Sequence, residues 1–453
     1  MANVFVVGAG PAGMFAAQKL AQAGHETIIL NRDIKPGGLA EYGIYPLKDK
    51  MKIGLRKQFA KVLALPNVHY FGHVPVASNS PVTIDALREF CPGALVFAVG
   101  AQGTKKLGLP GEDLRGVYSA KDFVYYYNQL PPFATQDFSV GKRVAIVGMG
   151  NVMVDIARWL MVDSPERSVE EVIVIARRGP LEAKFDEKEF ANIQIHLDRK
   201  AFQDELHRVE PAMKAVGQDI AKVAEETFPV LAKAPDQQTI PPRLTFRFLS
   251  SPSAIIGGPD GRIARLIVTE NILVERDGGI SAKATDRTAG IDVDTLIFAI
   301  GDQHDPSLGL PYAKGGYVTN PDVADPCANY QVFNHEAGQV CSGDFVLGWA
   351  RKPSEGLVGI ARHDGEVGAA HVLQFLANAQ PRTGASTEDI ARFLERKDLQ
   401  FVPKADLRWL TAAEEKEARE RGMAYYFFPD DESMLSQIER EKSTSAATAA
   451  PLI

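Results

Sequence analysis

The chain has 453 residues, 45% of them hydrophobic, and its 50 Lys+Arg against 57 Asp+Glu leave a formal charge of −7. This is ordinary globular composition, which excludes wholesale disorder and collagen-like or coiled-coil fibres and argues against a dedicated nucleic-acid binder. The three cysteines, Cys91, Cys327 and Cys341, form no CxxC pair, which counts against a redox dithiol, a disulfide framework and a cysteine-bound iron–sulfur cluster. No apolar run reaches the ~18 residues of a membrane span. Residues 4–17 are apolar but lack a basic leader region and carry a glycine pattern, so they read as fold, and the expected compartment is the cytoplasm.

The chain opens with Val4-Phe5-Val6-Val7, a run suited to a strand buried on both faces, then Gly8-Ala9-Gly10-Pro11-Ala12-Gly13 and a helical pattern over residues 14–23. In such a turn Gly8 permits the tight bend, Gly10 lets the backbone approach a pyrophosphate, and Gly13 lets the helix pack closely on the strand. A second strand follows over residues 26–30. At its end, where an acid usually meets the ribose hydroxyls, the sequence reads Asn31-Arg32; Asn31 can bond a hydroxyl but supplies no charge. Lys48, Lys50, Lys52, Arg56, Lys57 and Lys61 then form the densest basic stretch, read either as a solvated face or as a docking surface for an acidic protein.

A second strand–turn–helix unit begins at Arg143, with Gly148-Met149-Gly150-Asn151-Val152 as its turn and the third glycine replaced. The strand at 172–176 ends in Arg177-Arg178, and a fork of guanidinium donors there suits a 2′-phosphate, pointing to NADPH over NADH; the alternative is a solvated loop pair. Leu95-Val96-Phe97-Ala98-Val99-Gly100 and Leu296-Ile297-Phe298-Ala299-Ile300-Gly301 are near-copies. They are either two unrelated core strands or the points where the chain leaves one nucleotide-binding domain and returns to it.

Residues 204–240 read as a charged helical stretch ended by Pro241-Pro242, with His207 on its surface. Residues 381–385 look like a linker, residues 386–397 like an amphipathic helix, and Thr411-Ala412-Ala413-Glu414 like a capping box opening a helix that Gly422 closes. Tyr425-Tyr426-Phe427-Phe428 reads as a strand packed on the body, and the Ser/Thr/Ala-rich end from Glu441 as disordered.

These motifs, with Gly37-Gly38-Leu39, Tyr42-Gly43-Ile44-Tyr45-Pro46, Leu109-Pro110-Gly111-Glu112-Asp113, Arg177-Arg178-Gly179-Pro180-Leu181, Phe246-Arg247-Phe248-Leu249-Ser250-Ser251-Pro252 and Gly348-Trp349, resemble the adrenodoxin-reductase-type ferredoxin–NADP reductases. The small subunit of glutamate synthase shares the early motifs. The resemblance implies an α/β fold of two Rossmann-like three-layer dinucleotide-binding domains, the NADP domain inserted into the FAD domain: residues 1–103 and 304–380 for FAD, 104–303 for NADP, and 381–453 as a small C-terminal α/β extension. It implies FAD contacts at Gly8, Gly10, Pro11, Ala12, Gly13, Asn31 in place of Glu, Leu39, Val76, Trp349, Gly356, Leu357 and Val358. NADP contacts would be Gly150, Asn151, Val152, Arg177, Arg178 and Glu189, with Gly356 near the nicotinamide. Asp344, in Cys341-Ser342-Gly343-Asp344, reads either as a flavin contact or as an ordinary turn residue.

The implied activity is hydride transfer between NADPH and FAD, then single-electron transfer to an acidic ferredoxin-type iron–sulfur protein, with no catalytic side chain and no metal. Lys48, Lys50, Lys52, Arg56 and Lys57, or Arg243 and Arg247, would dock that partner. Two alternatives remain: an electron-entry subunit of a larger complex, or an NADPH diaphorase with another acceptor. The chain departs from the family pattern at Pro46-Leu47-Lys48-Asp49, where relatives carry a histidine, and at Pro353-Ser354-Glu355-Gly356.

Overall fold

In a computed structural model the structure describes residues 1–233, 238–276, 278–353, 358–380, 384 and 386–449. The chain divides into two compact units. The first comprises Met1–Thr104, Tyr127–Thr135 and Gly301–Ile453, and the second Lys105–Tyr126 and Gln136–Ile300. Tyr127–Thr135 lies within the 104–303 span assigned to the inserted domain, yet it packs with the first unit, where Asn128 accepts a hydrogen bond from Lys52 at 2.8 Å. Among the described residues no helix is long and apolar enough to cross a membrane.

The elements used below are, in chain order, β1 (Asn3–Val7), α1 (Pro11–Gln22), β2 (Glu26–Leu30), α2 (Asp49–Leu63), β3 (Val68–Gly72), β4 (Ala94–Phe97), β5 (Val117–Ser119), β6 (Arg143–Val147), α3 (Asn151–Arg158), β7 (Glu171–Ile175), α4 (Arg199–Lys214), β8 (Arg243–Arg247), β9 (Ser250–Gly257), β10 (Ile263–Arg276), β11 (Gly279–Asp292), β12 (Thr295–Phe298), β13 (Gln331–Asn334), β14 (Gln339–Val346), α5 (Val358–Asn378), α6 (Thr387–Arg396), β15 (Val402–Pro403), α7 (Leu407–Glu420) and α8 (Asp431–Ala449).

In the first unit the sheet order is β13-β14-β4-β1-β2-β3-β15, with β14, β4, β1, β2 and β3 parallel. Alternate residues of the apolar strands face opposite cores. Val4, Val6, Ile29 and Val96 pack under α1 and α5 with Met14, Leu20, Ala369 and Val372, while Phe5, Val7, Ile28 and Phe97 pack against Val82, Val332 and the α6 residues Ile390 and Leu394. In the second unit five parallel strands run β5-β12-β6-β7-β8, and the antiparallel sheet β9-β10-β11 covers one face through Ile255, Leu266 and Val268. Each unit is thus a layered α/β fold.

The C-terminal region belongs to the first unit, because β15 pairs antiparallel with β3 and Leu410, Met434 and Ile438 pack on Ile34 and Val402. Three expectations are corrected there. The helix containing Thr411 starts at Leu407, and the Thr411 hydroxyl bonds back to the Leu407 carbonyl, so no capping box forms. Residues 425–428 form no strand; Phe427 is buried and its neighbours run irregularly. The segment from Glu441 is helical through Ala449, its Lys442 pairing with Asp406 at 2.9 Å. The capping box that does form is Ser386 with Asp389, at the start of α6.

Candidate functional site

The first glycine turn joins β1 to α1. Gly8 takes φ +103° and donates to the Leu30 carbonyl at 2.8 Å; a Cβ there would lie 2.6 Å from the Ala98 carbonyl oxygen. A Cβ on Gly13 would collide with the carbonyl oxygen of Gly8. Gly10 differs from both, since its backbone is extended and a Cβ would meet nothing within 4 Å. It caps α1 without a side-chain bond, Pro11 supplies no amide hydrogen, and the other amides of the first turn have no intrahelical acceptor. The space beside Gly10 and the positive end of the helix dipole fit a pyrophosphate.

Around this turn the structure gathers the segments that carry Leu39, Val76 and Trp349. Gly37 donates to Ala9 at 2.8 Å, and a Cβ on Gly38 would lie 3.3 Å from the Gly10 Cα, so the segment leading into Leu39 lies against the turn. Val74 donates to the Asn31 carbonyl at 2.8 Å, bringing Val76 to the same end of the sheet. Gly348, at φ +61°, is held by its amide donating to Asp364 at 2.5 Å, and its Cβ position is 2.6 Å from the Ala12 Cβ. The half-buried Trp349 follows, its carbonyl accepting from His304 Nε2 at 2.8 Å while His304 Nδ1 accepts from the Tyr317 amide at 3.0 Å. That bonding keeps the proton of His304 on Nε2, and burial lowers its pKa. Val358 opens α5; Gly356 and Leu357 lie outside the described residues.

Two expected contacts are corrected. Asn31 is only 5% exposed, and its amide is already engaged. Oδ1 accepts from the Ala9 amide at 3.0 Å and Nδ2 donates to the carbonyls of Asp33 and Lys35 at 2.8 and 3.0 Å, so Asn31 ties the turns together and does not reach out to a ribose. Asp344 lies inside β14, opposite Leu95 and two residues before the strand ends, buried and paired with Arg88 at 2.5 Å. Burial raises its pKa, and the guanidinium opposes that shift. Gly348, two residues past the end of β14, and not Asp344, is what lies against Ala12.

The second turn repeats the first. Gly148 takes φ +123°, donates to the Ile175 carbonyl at 2.9 Å, and has no room for a Cβ beside the Ala299 carbonyl. Gly150 is extended, caps α3, and again meets nothing within 4 Å. The near-copies explain this equivalence: β4 lies beside β1 and β12 beside β6, with Ala98 donating to Val7 at 2.8 Å and Ala299 to Val147 at 2.7 Å. Asn151 Oδ1 accepts from the Asp186 amide at 2.7 Å, Val152 is 48% exposed, and half-buried Glu189 lies in the helical turn that follows Asp186. Arg177 is exposed and Arg178 half-buried just past β7, and among the described residues neither guanidinium meets a carboxylate.

The basic residues separate into two groups. Lys52 is 1% exposed, and burial pulls its ammonium down to about 8. Arg56 grips buried Glu41 with Nε and Nη2 at 3.0 and 2.7 Å, under the Tyr425 ring at 4.9 Å. Lys35, paired with Glu414 at 2.6 Å, stands 4.3 Å from the Phe427 ring. Lys52 and Arg56 are therefore interior or neutralised, not free for docking. The signal for this was spacing: Lys52, Arg56, Phe59 and Val62 share one helix face, and Phe59 and Val62 are core. Arg243 sits between Glu171 and Asp198 at 3.3 and 3.4 Å, and Arg247 between Glu270 and Glu205 at 3.2 and 3.8 Å, so both are already matched by carboxylates. Lys50 and Lys57 remain exposed, with Lys48 partly so.

Residues 2–201 match the pyridine nucleotide-disulphide oxidoreductase family. NADPH-ferredoxin reductase FprA of Mycobacterium leprae (strain TN) is 29% identical over 441 residues, covering 89% of this chain and 91% of that protein. The mitochondrial NADPH:adrenodoxin oxidoreductase of Homo sapiens is 28% identical over 470 residues, covering 96% and 91%. A solved structure of Mycobacterium tuberculosis FprA in complex with NADPH superposes with a TM-score of 0.80 at 26% identity, covering 97% of this chain and 99% of that one. Over nearly its whole length the chain is thus similar in sequence and in fold to NADPH-ferredoxin reductase FprA, and in sequence to the mitochondrial NADPH:adrenodoxin oxidoreductases.

Proposed function

We propose that this chain is an NADPH-dependent FAD oxidoreductase that passes single electrons to a ferredoxin-type iron–sulfur protein. One observation carries the reading: two glycine turns of the same build, each with open space at its second glycine, of which only one is followed by arginines free of carboxylates. Gly8, Gly10, Pro11, Ala12 and Gly13, with Leu39, Val76, Trp349 and Val358, hold FAD. Gly150, Asn151, Val152 and Glu189 hold NADP(H), and Arg177 and Arg178 take its 2′-phosphate. FAD, when bound, supplies acceptance of a hydride from the nicotinamide and release of its electrons one at a time.

The chain's own contribution is positional. The amides of each first helical turn neutralise phosphate charge, the left-handed Gly8 and Gly148 make the bend, and the open space at extended Gly10 and Gly150 lets a phosphate come close to those amides. Lys48, Lys50 and Lys57 give a local positive field on a chain of net charge −7, suited to steering an acidic partner. The test is anaerobic cytochrome c reduction by the purified yellow protein, with and without a low-potential ferredoxin, using NADPH and then NADH. Ferredoxin-dependent turnover with NADPH preference is expected. Flavin reduction by NADPH without ferredoxin-dependent turnover would refute the electron partner and leave the nucleotide sites.

A further inference from the structure

The loop bearing Arg177 and Arg178 is pinned by an unusual run of bonds. Three consecutive carbonyls accept from three different donors: Ala176 from the Ser250 amide at 2.9 Å, Arg177 from Asn271 Nδ2 at 2.8 Å, and Arg178 from the Leu249 amide at 3.2 Å. Leu249 adopts φ +47°, a left-handed conformation that a leucine takes only when its surroundings compel it. Asn271 is the one side chain among the three donors. It is 4% exposed; Nδ2 also donates to Ser251 Oγ at 2.8 Å, and its own amide donates to the Leu249 carbonyl at 2.8 Å. It sits where the β10–β11 register shifts, between Thr269 and Asn271. Beyond that point Leu273, itself buried, lies against Gly179 on the far side of the arginines.

Asn271 is therefore a buried two-hydrogen donor whose one contact with the candidate site is the backbone oxygen of Arg177. Without that donor the carbonyl loses the bond that fixes its peptide plane, and any rotation of that plane swings the side chains on either side. We propose that Asn271 is a positioning residue for the 2′-phosphate: it sets the peptide between Arg177 and Arg178 so that both guanidinium groups are presented together, and thereby determines the preference for NADPH over NADH. This rests on the reading that Arg177 and Arg178 bind that phosphate.

The test uses the FAD-loaded enzyme with Asn271→Ala, Asn271→Asp, Ser251→Ala and the double variant Arg177→Ala/Arg178→Ala. Asn271→Asp keeps the shape and removes both donors; Ser251→Ala removes the other acceptor and leaves the bond to Arg177 in place. Both Asn271 variants should raise KM for NADPH about tenfold with kcat and the KM for NADH within about twofold of the parent. They should weaken binding of 2′,5′-ADP by a similar factor in calorimetry while sparing 5′-AMP. Ser251→Ala should leave all of these unchanged, and Asn271→Ala should add nothing on the double-arginine background. Equal losses with NADPH and NADH, an unchanged KM for NADPH, or full additivity with the arginine variants would overturn the proposal. If the double-arginine variant itself keeps its affinity for 2′,5′-ADP, the 2′-phosphate reading fails first; if it loses that affinity and Asn271→Asp does not, only the positioning role fails.

Discussion

Gly10→Val separates the cofactor from the fold. Gly10 has φ −71° and ψ 178°, a conformation valine adopts freely, and its added Cβ meets no atom within 4 Å. The folded chain without flavin should lose no more than about 1 kcal/mol, the scale of a changed helix cap. The isopropyl group would stand where a pyrophosphate must approach the first turn of α1. Losing two hydrogen bonds to a charged acceptor, at ~1.5–3 kcal/mol each, removes about 3–6 kcal/mol, or roughly 10²- to 10⁴-fold in FAD affinity. The assay is the ratio of flavin to protein after purification, followed by titration of the apoprotein with FAD and a melting curve of each apo form. Gly13→Ala is the control, because its Cβ collides with the Gly8 carbonyl and should cost folded protein itself. A fully yellow Gly10→Val, or a Gly13→Ala that melts like the parent, would refute the geometry assigned to the turn.

The second turn makes the matching prediction: Gly150→Val should abolish reduction by NADPH while the protein stays yellow, and retained reduction at ordinary NADPH levels would contradict it. Arg177→Ala/Arg178→Ala should weaken NADPH by about 1.5–3 kcal/mol with little effect on NADH, read from kcat/KM for each nucleotide; equal losses would refute the 2′-phosphate assignment. Charge reversal at exposed Lys50 and Lys57 should slow ferredoxin reduction at low salt and spare flavin reduction by NADPH, and a rate unchanged across ionic strength would return these lysines to the solvated face. Lys52 should imprint a pH dependence on stability. Its folded-state value of about 8 lies below the ordinary lysine value of 10.5, so between those limits the unfolded chain binds more protons and stability rises with pH. The shift corresponds to about 3 kcal/mol, present as a penalty below about pH 8 and gone above about pH 10.5; denaturant unfolding of Lys52→Met should lack that rise, and a parallel profile in both proteins would show that Lys52 is not buried as a charge.

What the sequence made legible was what depends on local spacing. An apolar run followed by glycines at fixed offsets dictates a strand, a bend and a helix within about twenty residues, and Gly8, Gly10 and Gly13 each show the geometry that their spacing requires. Side chains whose roles depend on partners distant in sequence were not legible in this way. Asn31 reads as a ribose contact by position, but Ala9, Asp33 and Lys35 supply its bonds. Lys52 and Arg56 read as surface charge when counted in a run, yet the helix turns them inward, where Asn128 and Glu41 meet them. Arg243 and Arg247 read as docking cations until β8 places carboxylates beside them. Asn271 carried no signal, because nothing in its neighbourhood announces that its amide reaches back to Arg177.

The third position of the two glycine turns shows how one motif can serve two kinds of occupancy. At Gly13 the helix lies so near the strand that no Cβ fits, and α5 closes in from outside, where a Cβ on Gly365 would collide with the Ala12 carbonyl oxygen and one on Gly348 would crowd the Ala12 Cβ. Gly348 and Gly365 thus close on Ala12 from two segments while Gly13 lies against Gly8, and the turn cannot open without breaking core contacts. At the corresponding place in the second turn stands Met153, fully buried, a long side chain where the first turn admits no Cβ at all, and beside it Val152 is 48% exposed. A group that stays bound through every turnover needs the first arrangement. A nucleotide that must enter and leave at each turnover is better served by the second, in which the proposed clasp of Arg177 and Arg178 would supply affinity by charge and not by enclosure.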